Sequence, residues 1–144
     1  MLWRSADAGL TWAAANLGAA PVYAGDLLVD PSDPRTIYLV PDALDPVPNR
    51  PFAGKVRRSS DGGMTWQELP LVVAERGVLA MTAARPGTLF YLDSNGHVLQ
   101  VKADDGTMVA DLGVPPGAVQ LMFDPKETDL LYTAGAALYR RNLP

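Results

Sequence analysis

The chain has 144 residues, a net charge of −4 and no cysteine. That length is one domain's worth; the missing cysteines exclude a disulfide framework, a thiolate metal site and a cysteine nucleophile. The acidic balance leaves no basic footprint for nucleic acid, and no apolar run approaches the ~18 residues of a membrane-spanning helix.

In chain order, Leu2-Trp3-Arg4 is a short strand ending in a basic residue, and Arg4 to Trp12 is a polar turn. Ala13-Ala14-Ala15 is too short for a helix and reads as strand and loop. Asp26 to Val29 is an apolar strand that ends in Asp30-Pro31, and a polar turn then leads into Thr36 to Val40. A Pro-rich stretch, Pro41 to Phe52, separates this strand from Val56-Arg57-Arg58. A second polar turn, Ser59 to Trp66, feeds another strand. Leu79 to Ala83, Leu89 to Leu92 and Val98 to Lys102 follow. Asn95-Gly96 between the last two predicts a type I′ hairpin. Asp104 and Gly106 repeat the turn spacing of Asp61 and Gly63. Val119 to Phe123, Leu130 to Tyr132 and Leu138 to Arg141 complete the chain. The strands are rich in Val, Leu and Tyr and bounded by Pro, Gly and Asp, so no helix is expected.

These segments recur with a period. Asp61 to Asp104 and Val56 to Leu99 are each 43 residues, and Leu99 to Leu138 is 39. Asp7 to Asp61 is 54, and the excess falls in Pro41 to Phe52. A period of about 40–45 residues with four short strands is the signature of a propeller blade. The predicted fold is all-β, with blades of four antiparallel strands. Residues 1–20 end a blade, 21–70 form a blade with an insertion at 41–53, 71–113 form another, and 114–144 begin one. About three blades fall short of the roughly four to eight of a closed propeller, so the chain reads as a piece of a longer protein. Open blade edges predict self-association.

Two turns share the pattern Ser-x-Asp-x-Gly-x-Thr-Trp. One carries Ser5, Asp7, Gly9, Thr11 and Trp12; the other carries Ser59, Asp61, Gly63, Thr65 and Trp66. The glycines supply positive φ. The aspartates accept hydrogen bonds from the turn's own N–H groups, the hydroxyls satisfy further polar groups, and the tryptophans cover the turn and pack between blades. This is a structural staple. On these residues the chain resembles the Asp-box (BNR, sialidase-like) β-propeller proteins. Among these are sortilin-like, photosystem II assembly-factor-like and enzymatic members. The resemblance implies an extracellular or periplasmic protein, although no signal peptide is visible in this chain.

An exo-alpha-sialidase-like glycoside hydrolase of that family needs an arginine cluster for a carboxylate, a tyrosine nucleophile with a glutamate partner, and an aspartate acid/base. No residue here falls in a matching motif, so catalytic residues stay unknown. Arg4, Arg58 and Arg140 recur at equivalent positions and read as strand-face ion pairs. Tyr38, Tyr91 and Tyr132 recur likewise and read as packing. Glu68, Glu75, Asp26, Asp42 and Asp45 are the carboxylates outside the turns that could form a glycosidase pair. His97 is the lone histidine and reads as an exposed turn residue; without a second His or Cys no metal site is expected, and no cofactor motif is present. The insertion breaks the repeat, and such insertions shape binding faces; Asn49, Arg50 and Phe52 are its candidate ligand contacts. The functional expectation is a non-catalytic module or scaffold that binds a protein or carbohydrate ligand. The alternative is a fragment of a sialidase-like or other glycoside hydrolase.

Overall fold

A computed structural model of the chain describes residues 2–17, 24–41, 53–74, 78–93, 95–113, 117–126, 130–135 and 137–143. These form strands and turns, with no helix among the described residues. The first sheet pairs β1 (Trp3–Arg4) with β2 (Ala13–Ala14). The second runs β3 (Ala24–Asp30), β4 (Asp33–Pro41), β5 (Ala53–Ser59) and β6 (Gln67–Ala74). The third runs β7 (Val78–Ala80), β8 (Thr88–Leu92), β9 (Val98–Lys102) and β10 (Met108–Asp111). The fourth has β11 (Ala118–Phe123), β12 (Leu130–Gly135) and β13 (Leu138–Asn142). Every pairing is antiparallel and joins strands consecutive in the chain. The fold is therefore all-β, as expected, in sheets of two, four, four and three strands that do not close on themselves.

Side chains on a strand alternate between faces, and in the third sheet β8 is buried on both faces. Leu89, Tyr91 and Val101 on one face join Tyr38, Val40, Val56 and Leu69 of the second sheet in one core cluster. Phe90, Leu92 and Val98 on the other face join Leu121 and Leu131 of the fourth in a second cluster. The rings of Phe90 and Phe123 meet edge to face, 4.9 Å between centroids. This explains why β8 reads Leu-Phe-Tyr-Leu without a polar break: a strand covered on both sides has no solvent face. Tyr38 and Tyr91 lie buried in the same cluster, while their counterpart Tyr132 is only half-buried. Its face of the fourth sheet, with the exposed Met122 and Arg140 paired on either side, is open to solvent.

The connections are stapled by aspartates, as their sequences suggest. Asp30 accepts from the backbone and hydroxyl of Ser32, and Asp33 from the backbone of Arg35 and the hydroxyl of Thr36. The β8–β9 connection differs from the type I′ expectation. Positive φ falls on Gly96 and not on Asn95, because Asp93 anchors the loop by accepting from the N–H groups of Asn95 and His97.

Candidate functional site

Among the described residues, the two Asp-x-Gly turns hold dense networks of side-chain hydrogen bonds. In the first, the Ser5 hydroxyl donates to Asp7 at 2.8 Å and accepts from Gly9 N–H at 2.8 Å. Asp7 accepts from both the backbone and the hydroxyl of Thr11, and the Trp12 indole N–H donates to the Gly9 carbonyl at 3.1 Å. The second turn repeats this bond for bond. Ser59 bridges Asp61 and Gly63, Asp61 accepts from Thr65 twice over, and Trp66 Nε1 donates to the Gly63 carbonyl at 3.1 Å. The Thr11 hydroxyl is the main cause that lowers the Asp7 carboxyl to about 2. The Thr65 hydroxyl leads the causes that hold Asp61 further below the usual carboxylate range. Both are fixed anionic acceptors. A group that stays ionised at every physiological pH is poorly suited to general acid or base work.

Of the three positions at which the turns differ in sequence, one bears on the backbone. Ala8 carries φ +57, where the second turn has Gly62 at φ +72. Left-handed backbone is costly for alanine and ordinary for glycine, so the first turn is the strained copy. The Asp104–Gly106 copy does not use the carboxylate its spacing suggests. Position 108, where Thr11 and Thr65 have their counterpart, is methionine, and it is Asp105 that accepts from the Thr107 N–H instead.

The two stapled turns meet at a cleft. The first sheet has only two strands, so it leaves part of the second sheet's face uncovered, and Leu27 and Val29 of β3 are about half exposed. Between the sheets lies a cleft of about 270 Å³, walled by Trp3, Trp12, Trp66, Leu27 and Ile37. All three tryptophans of the chain face it. Trp12 is 60% exposed, less covered than the expected packing between blades would leave it. Arg4 crosses the cleft floor. Its Nε–H donates to the Gly62 carbonyl at 2.6 Å, and its stem lies over Gly63, where an added Cβ would stand 3.7 Å from Arg4 Cδ and 3.6 Å from Trp66 Cζ2.

Among the described residues, the recurring arginines do not make the expected ion pairs. Arg4 donates to a carbonyl, and Arg58 lies opposite Tyr38 with its Nε buried and unpartnered. Arg140 lies exposed on β13. The ion pair belongs instead to Arg57, whose guanidinium reaches Glu68 at 3.1 Å and also donates to the Leu17 carbonyl. One residue along a strand reverses the face, and the face toward the first sheet is where a carboxylate stands.

Of the other candidates, Glu68 is taken by Arg57 and Lys55, and Asp26 accepts from the Leu27 N–H. His97 is half exposed as expected, but its Nδ1, just before β9, lies 2.8 Å from Oδ2 of Asp111 at the end of β10, a pair that spacing alone did not suggest. The Gly113 N–H, then His97, hold the Asp111 carboxyl below its usual range. A smaller cleft of about 220 Å³ lies between the third and fourth sheets, beside Leu112, Tyr139 and Arg141. Among the described residues no group of three or more His, Asp or Glu side chains is placed to share a metal ion, and no helix is long and apolar enough to cross a membrane. The candidate contacts Asn49, Arg50 and Phe52 lie outside the described residues, as do Asp42, Asp45 and Glu75. No family model and no curated protein sequence matches the chain.

Proposed function

We propose that the chain is part of an Asp-box β-propeller module that binds a protein or carbohydrate ligand and does no chemistry on it. Its sheets stand as blades in chain order, and each stapled turn closes the last hairpin of its blade. The observation that carries the binding reading is the convergence of all three tryptophans and Arg4 on one open cleft. Exposed indoles cost solvation until a partner covers them, and Trp and Arg are the side chains most enriched at binding hot spots. The nearest carboxylates, Asp7 and Asp61, are fully engaged in their own turns, which supports a site for recognition over one for proton transfer.

The test is to probe glycan and peptide arrays with the labelled chain and with its Trp3→Ala variant, and to incubate the chain with a fluorogenic α-sialoside. Retention on one array, lost with Trp3→Ala at unchanged melting temperature, is the expected result. Turnover of the sialoside points instead to a glycoside hydrolase and overturns the proposal.

A further inference from the structure

Building on that reading of the cleft, we infer that its ligand is a protein segment presenting one large apolar side chain with a carboxylate beside it. Apart from the Trp3 indole N–H and the terminal nitrogens of Arg4, the side-chain donors around the cleft are already committed. The indole N–H groups of Trp12 and Trp66 both donate into their own turns, at 3.1 Å each, so these rings offer the cleft no donor. The Ser5 hydroxyl is used as donor and acceptor, and the Gly62 carbonyl is taken by Arg4. A sugar stacked on such walls desolvates several hydroxyls with little to receive them, and each unpaired polar group counts against binding. An apolar side chain carries no such penalty and gains by leaving water. The size agrees. At about 270 Å³ the cleft is below the roughly 300–1,000 Å³ of drug-sized pockets; it suits one inserted side chain better than a chain of sugar rings.

Arg4 supplies the second half of the recognition. It is the cation of the cleft, and it has no carboxylate at ion-pair distance among the described residues. Its Nε is held by Gly62, which fixes the guanidinium plane while leaving its terminal nitrogens to face a ligand. A fixed fork of this kind favours a carboxylate. The acidic group belongs next to the apolar one in the partner because Arg4 and the indoles share one cleft.

The test is an NMR titration of the 15N-labelled chain, following the three indole N–H signals. The probes are Ac-Ala-Phe-Asp-Ala-NH2, its Asp-to-Asn analogue and methyl β-D-glucopyranoside. The Phe-Asp peptide is expected to shift the indole signals saturably, the Asn analogue to bind roughly threefold more weakly, and the glucoside to shift nothing. Arg4→Gln is expected to erase the difference between the peptides. The peptide pair on the unaltered chain reads the charge contact even where Arg4→Gln lowers stability. Equal affinity for the two peptides overturns the inference. Shifts with the glucoside alone overturn it while leaving the binding reading intact. Indole shifts that follow protein concentration without any probe identify a second copy as the occupant and overturn it too. If no probe and no dilution moves the indoles, the inference fails, and the arrays decide the binding reading on their own.

Discussion

Asp61 gathers four donors onto one carboxylate: the Ser59 hydroxyl, the N–H groups of Met64 and Thr65, and the Thr65 hydroxyl. Asp7 does nearly the same in the first turn. Each favours the ionised form, so the folded chain holds these protons more weakly than the unfolded chain does. The sign follows from linkage. A depressed carboxyl contributes stability above its unfolded value of 3.8, and that contribution is lost as pH falls toward the folded value, about 2 for Asp7 and lower for Asp61. The melting temperature is therefore expected to drop steeply between about pH 4 and pH 2. Asp61→Asn should melt lower than the parent chain near neutral pH, and calorimetry should find the gap narrowing as the solution is acidified. A gap that stays constant over that range would mean the turn depends on shape and not on charge.

At the scale of the element, the turns were legible because their physics is local. Ser, Asp, Gly, Thr and Trp at fixed offsets satisfy one another within eight residues, and two copies in one chain exposed the pattern. What could not be read was how each turn meets its neighbour. Whether Arg57 or Arg58 finds a carboxylate depends on which face of β5 the first sheet covers, and that is a long-range fact. Trp12 is another case, since its exposure depends on what the rest of the fold places against it. The candidate cleft is likewise not legible in the sequence: the insertion is what breaks the repeat, whereas the cleft is made by residues that keep it and that meet only in the fold. Gly106 shows the same dependence on neighbours. It has φ +70, and an added Cβ would stand 2.9 Å from both the Cβ and the backbone N of Leu71 on β6. Gly87 has a similar φ of +73 and nothing within 4 Å. Gly106→Ala is expected to cost about 2–4 kcal/mol, combining left-handed strain with a backbone collision, and Gly87→Ala about 1–2 kcal/mol from strain alone. Urea unfolding of the two variants measures both. Equal losses would show that β6 yields to the turn and that the close approach carries no weight.

Over the whole molecule, burial is graded along the stack of sheets. The third sheet is sandwiched, and in β8 Leu89 and Phe90 are fully buried while Tyr91 and Leu92 are 3% exposed. The outer members have one partner sheet each. All five residues of β13 are exposed, and β1 and β2 form a two-strand ribbon whose residues are mostly exposed. When units contact only their neighbours, stability is a sum of unit and interface contributions, so the middle unit gains from two interfaces and the end units from one. Local opening follows the same gradient, because amides exchange through the least costly disruption that frees them. Hydrogen exchange is therefore expected to be slowest for the amides joining β8 to β9, intermediate for β4 with β5, and fastest for β1 with β2 and β12 with β13. Phe90→Ala removes the ring that meets Phe123 at the interface of the third and fourth sheets. It should cost about 3–5 kcal/mol and bring the exchange of β8 toward that of the end strands. Loss of protection confined to the fourth sheet would mean that the interfaces act independently. Exchange as slow in β1 and β2 as in β8 would rule out the gradient, because a two-strand ribbon holds its amides that tightly only as part of one cooperative unit with the sheets beyond it.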